Sequence, residues 1–97
     1  MDEKRIYCVV MYGEDTKTGY KWNGTLACGS YFYSMEEAKA HINKIMTDDI
    51  DYYKREDKDF VSYADNEDGY LIFFKSGGKR KVNFMPVALE ERKESDI

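Results

Sequence analysis

Apolar and polar positions along this chain follow two different periods, and the change from one to the other marks out its elements. Arg5–Tyr12 is an almost unbroken apolar, β-prone run (Ile6, Tyr7, Cys8, Val9, Val10, Met11, Tyr12). Such a run predicts a central strand covered on both faces. Gly13–Gly24 reads as a polar connector with Gly13, Gly19, Asn23 and Gly24, although Tyr20 and Trp22 lie inside it. Thr25–Tyr33 predicts a second strand, bent or bulged at Gly29. A hairpin of these two strands centred near Thr18 sets Cys8 opposite Cys28, within cross-strand reach. Two buried thiols are favoured over a disulfide there.

The period then becomes helical. Ser34-Met35-Glu36-Glu37 is a capping box: the Ser34 hydroxyl can accept the Glu37 amide, and the Glu37 carboxylate can reach back. Two acids in the first turn also complement the helix dipole. Ala38, Ile42, Ile45 and Met46 form an apolar stripe. The predicted helix runs at least to Met46. Ile50 and Tyr53 would carry the stripe on, whereas Thr47-Asp48-Asp49 reads equally as a break and a new cap. Phe60–Ala64 is a short strand, and Asp65-Asn66-Glu67-Asp68-Gly69 is a turn of residues that tolerate unusual backbone angles.

Tyr70–Lys75, the turn Ser76-Gly77-Gly78-Lys79 and Arg80–Val87 read as a hairpin, with Gly77-Gly78 as a two-residue turn. In that register Lys75 faces Arg80, Phe73 faces Val82 and Leu71 faces Phe84. On the other face Tyr70 meets Met85, Ile72 meets Asn83 and Phe74 meets Lys81. Both faces are then largely apolar, yet only one helix is available to cover them. The expected architecture is α+β: an antiparallel sheet of about five strands in β-β-α-β-β-β order, with one main helix packed on one face. Ninety-seven residues make one domain, 1–97, with 89–97 a charged flexible tail.

Composition sharpens this. Aromatic residues are 15% of the chain and nine of them are Tyr, a ring with a polar tip that suits half-exposed positions and interfaces. A net charge of −4 argues against broad binding to phosphate backbones. Two cysteines are too few for a disulfide scaffold, the charged start does not resemble a leader, and no stretch is apolar for long enough to span a bilayer. A cytoplasmic protein with reduced thiols, away from membranes, is the expectation.

Candidate chemistry is sparse. Asp48–Asp68 holds nine acids and three bases, which is either a cation site or acidic surface, or a solvated helix end and turn. The EF-hand pattern fails, because aligning Gly69 with that loop's glycine puts Ala64 at the first ligand position. Lys75, Lys79, Arg80 and Lys81 form a basic hairpin tip, but Gly-Gly-Lys lacks the spacing of a phosphate loop. His41, the one histidine, pairs with Glu37 at i,i+4 and has no nucleophile in sequence reach. No catalytic, cofactor-binding or metal-binding residues stand out, and no enzyme, cofactor or metal is expected.

The expected function is a small non-enzymatic protein-interaction module of accessory, regulatory or inhibitor type. It would act through an aromatic sheet face or by self-association as a homodimer. The expected contact residues are Tyr70, Ile72, Phe74, Lys79, Arg80 and Lys81. The alternative is a single-stranded nucleic-acid-binding module using sheet aromatics and the basic tip.

Overall fold

A computed structural model describes residues 6–27 and 31–89. Its elements are β1 (Ile6–Asp15), β2 (Tyr20–Leu26), α1 (Met35–Glu56), β3 (Phe60–Asn66), β4 (Gly69–Phe74) and β5 (Lys79–Leu89). The five strands form one antiparallel sheet in the order β2-β1-β5-β4-β3, and α1 packs on one face of it. The α+β class and the order of elements are as the sequence implies. The Cys8–Cys28 pairing, a bulge at Gly29 and all of the expected 89–97 tail but Leu89, which ends β5 opposite Ile6, lie outside the described residues. Cys8 itself is buried.

The first hairpin is tighter than expected. The Gly13–Gly24 segment is mostly strand: β1 continues to Asp15 and β2 starts at Tyr20 rather than at Thr25. Only Thr16–Gly19 turns, closed by the Gly19 amide donating to the Asp15 carbonyl at 2.7 Å. The β-forming Tyr20 and Trp22 outweigh the polar residues around them. Gly13 makes this possible. It has φ +145°, and a Cβ there would collide with the Lys81 carbonyl oxygen of β5. Val10↔Leu26 and Met11↔Thr25 keep the register expected for a turn near Thr18, and a bulge then shifts it by one residue.

The helix does not break at Thr47-Asp48-Asp49. Ala38, Ile42, Met46 and Ile50 are all buried, and Ile45 and Tyr53 pack beside them, so the stripe runs on to Glu56. Ser34 caps the start, accepting the Glu37 amide at 3.0 Å. The Glu37 carboxylate returns one residue further back than a standard box, taking the Tyr33 amide at 3.2 Å.

The second hairpin carries the main correction. Its register is Gly69↔Asn83, Tyr70↔Val82, Leu71↔Lys81, Ile72↔Arg80 and Phe73↔Lys79. The loop is the three residues Lys75-Ser76-Gly77, not Gly77-Gly78. The Gly77 amide donates to the Phe74 carbonyl and the Phe74 amide to the Gly78 carbonyl, both at 3.0 Å, with Gly77 alone at positive φ, +94°. A type I turn followed by a left-handed glycine is the common three-residue alternative to a two-residue turn. The pairing slips by three residues as a result, and an odd slip changes which side chains share a face. Tyr70, Ile72 and Phe74 therefore lie with Val82 and Phe84, not with Met85, Asn83 and Lys81.

Those five residues, with Val9, face the stripe of α1 and make the core. Ile42, Ile72, Val9 and Val82 are its fully buried large side chains. Each contributes about 1.5–3 kcal/mol of transfer free energy.

Candidate functional site

The corrected register decides which sheet face is free. Residues alternate between faces, so Tyr70, Ile72 and Phe74, expected on an open aromatic face, are buried beneath α1. Arg80 lies on that covered face too. Lys79 and Lys81 are the two expected contact residues that reach the opposite, open face, where both are exposed.

That open face has an ordered composition, row by row across the strands. Leu26, Val10 and Met85 are consecutive cross-strand neighbours. Further along the same two strands Cys8 faces Val87 and Ile6 faces Leu89, and there the face is no longer open, since Cys8 is buried. In the other direction Tyr12 lies between Asn23 and Asn83, followed by a row of Lys21, Glu14, Lys81 and Leu71. Phe73 and Lys79 follow, the ammonium 5.9 Å from the ring centroid. Leu26 is 52% exposed and Met85 46%, so this row is open to contact. No described element packs over it.

On the covered face the sheet holds a polar cluster that sequence reading missed. Asp15 is 2% exposed. Its Oδ1 accepts the Lys17 amide at 2.9 Å and the Thr18 amide at 3.1 Å, and its Oδ2 accepts Arg80 Nη1 at 3.1 Å. Arg80 Nε donates to the Tyr70 hydroxyl at 3.0 Å, which donates to Asp49 at 2.9 Å. The guanidinium stacks between Trp22 and Tyr53, 4.7 and 5.1 Å from their centroids. Burial pushes the Tyr70 hydroxyl far above its ordinary pKa, although Arg80 opposes the shift. Burial raises Tyr53 as well.

Beside this cluster three connections meet in a seam. Lys17 Nζ lies 3.1 Å from Asp57 and 3.4 Å from Asp59, over the ring of Phe74. Asp59 also accepts the Ser76 hydroxyl at 2.8 Å, and Thr16 exchanges hydrogen bonds with Lys79. The hydrogen bond to Asp57 raises the Lys17 pKa, and the Ser76 hydroxyl lowers that of Asp59. A cleft of about 280 Å³ opens here between Lys17 and Tyr52, Tyr53 and Glu56 of α1. Asp15, Lys17, Asp57 and Asp59 beside it are already paired, so they serve the fold.

The acidic segment is thus divided. Asp49, Asp57 and Asp59 hold structure, Asp48 pairs with Lys44 at 3.1 Å, and the turn acids are exposed. Among the described residues no group of three His, Cys, Asp or Glu side chains is placed to hold a metal. His41 sits against Phe32, ring centroids 4.9 Å apart, with the sheet between it and Cys8. No described helix is long and apolar enough to cross a membrane. No protein-family model matches the chain, and no curated protein or solved structure matches it either.

Proposed function

We propose that this domain is a protein-interaction module that uses the open sheet face, not the covered aromatic one, as its contact surface. The observation that carries the reading is the unpacked row Leu26, Val10 and Met85 beside Lys21, Lys79 and Lys81. Exposed apolar rows bordered by charge are the usual make-up of contact surfaces. The charge pattern selects the partner: a protein segment with apolar residues flanked by Asp or Glu, the acids meeting the lysines. The chain's acids on α1 face away from this surface and would repel the same segment, which fixes its side of approach.

A peptide-display selection tests this. Sequences enriched against the wild-type domain should carry apolar residues next to acids, and should be lost when Met85→Asp or Lys81→Glu is the bait. Ligands indifferent to both changes would sink the proposal. So would oligonucleotide binding that weakens steeply between two salt concentrations, since Tyr12 and Phe73 with three lysines could instead stack and neutralise a single strand.

A further inference from the structure

The two edges of the sheet are not alike. The β2 edge is guarded: it carries Lys21, and a bulge displaces the pairing between Met11 and Tyr12. Charged side chains and bulges are the devices that stop strands from pairing edge to edge. β3, at the other edge, reads Phe-Val-Ser-Tyr-Ala-Asp-Asn, with no Lys, Arg or Pro; Asp65 is its one charge, and its one irregularity is confined to Phe60/Ser62. Val61 is 54% exposed and Tyr63 43%.

The ladder fixes which β3 groups are unpaired within the sheet. The Phe74 amide donates to the Gly78 carbonyl and the Phe74 carbonyl accepts the Gly77 amide, while the Lys75 amide donates to Asp59, so the even residues of β4 look toward β5 and the odd ones toward β3. The β3 partners of Phe73, Leu71 and Gly69 are Ser62, Ala64 and Asn66. These direct their N–H and C=O groups inward. Tyr63 and Asp65 direct theirs outward, where a sixth strand would bond.

We propose that the β3 edge pairs antiparallel with β3 of a second copy of this chain, with Ala64 on the two-fold axis, extending the two sheets into one. In this register Tyr63 exchanges both backbone hydrogen bonds with the second copy's Asp65, and Asp65 with the second copy's Tyr63. Ala64 meets its own image at the close, non-hydrogen-bonded position, where a small side chain fits. Ser62 lies opposite the second copy's Asn66 on the open face.

Charge is what selects a second copy over an unrelated strand. Lys54 of α1 lies over the Tyr63 ring, 5.4 Å from its centroid. Tyr63 and Asp65 share the helix-side face, being paired with the buried Ile72 and Tyr70. Across the axis each Lys54 therefore stands above the other copy's Asp65, and each Asp65 meets a base rather than its own image. The strand is self-complementary in both backbone and charge, as a two-fold interface requires.

Light scattering coupled to size-exclusion chromatography over a concentration series tests this. The wild type should approach twice 11.4 kDa. Lys54→Asp and Asp65→Lys each place like charges across the axis, and each should raise the dissociation constant by about tenfold or more. The double variant restores the pairing and should dimerise to within about threefold of wild type. Both positions are exposed, and circular dichroism should show all variants folded. The open-face variants Leu26→Asp and Met85→Asp should leave the dimer intact, which separates this contact from the proposed docking surface. A monomer at every concentration overturns the proposal, and so does a dimer that survives both single charge changes or that the charge swap fails to restore.

Discussion

Asp15 and Arg80 are sixty-five positions apart, yet each satisfies what the other leaves buried. Removing one partner of such a pair costs far more than the pair contributes net, because the remaining charge is stranded. Asp15→Ala should therefore lose about 3–5 kcal/mol in urea unfolding. The double variant Asp15→Val/Arg80→Met should recover much of that. It should stay below wild type, since the Lys17 and Thr18 amides also lose their acceptor. A double variant no better than Asp15→Ala would mean that the amide bonds, not the stranded guanidinium, dominate. Nothing local in the sequence announces this cluster. An acid in a turn and an arginine in a basic tip both read as solvated, and only the register that places Arg80 opposite Asp15 on the covered face joins them.

The same residues set the pH limits of the fold. Asp59 titrates below its ordinary range when folded, so its contribution is present above the unfolded carboxyl pKa, about 4, and is lost as pH falls below it. Tyr70, Tyr53 and Lys17 are raised. Their contributions are present below the unfolded values near 10 and are lost as pH climbs past them. Stability should hold between these limits and fall outside both. Ser76→Ala should flatten the acid limb, and Tyr70→Phe the alkaline one. An alkaline limb unchanged in Tyr70→Phe would place the titrating group elsewhere.

At the scale of elements, what the sequence discloses depends on how local the determinant is. The α1 start is set within four residues and reads directly: Ser34→Ala should cost about 1 kcal/mol through the lost cap. The α1 end is less legible, because Thr47-Asp48-Asp49 resembles a cap in isolation, and burial of Ile50 against the sheet overrides that preference. Ile42→Ala should cost roughly 2–5 kcal/mol as a large-to-small change in the core. A loss under about half a kcal/mol in thermal unfolding would contradict the helix face assigned here. Ser76-Gly77-Gly78-Lys79 is ambiguous for a different reason. Two adjacent glycines permit a two-residue turn or a three-residue loop ending in a left-handed glycine, and the choice decides every partner down the ladder. Gly77→Ala probes it: alanine at φ +94° is strained, and about 1–2 kcal/mol should be lost. Gly78→Ala carries no such backbone strain and should cost less, its new Cβ requiring only that Lys17, 3.2 Å away, give by a few tenths of an ångström. Equal losses at the two positions would restore the two-residue turn.

For the whole molecule, the strand order β2-β1-β5-β4-β3 pairs the two longest strands, β1 and β5, with each other inside the sheet and leaves β2 and β3 at its edges. Neither the order nor the difference between the two ends of the sheet can be read from spacing, because both arise from contacts between segments far apart in sequence. One end is tied three ways: Lys17 to Asp57 and Asp59, Ser76 to Asp59, and Thr16 to Lys79. At the other end Tyr7 and Phe32 make a single isolated bridge, through reciprocal bonds of 2.7 and 2.8 Å. Protection from exchange follows the local density of such ties. Native-state amide exchange with increasing denaturant should find Val9, Ile72 and Val82 opening only with global unfolding. The Tyr7 and Phe32 amides should exchange through a smaller opening that leaves the seam closed, while Thr16 and Lys79 stay with the core. The seam is surface-exposed, so its salt bridges alone would add little. Its effect comes from joining three connections, so that none can open without the others. Lys17→Met should therefore lower the protection of Thr16 and Lys79 together, and bring the two ends of the sheet to comparable stability. If those amides keep core-like protection in the variant, backbone pairing of β1 with β5 holds that end by itself.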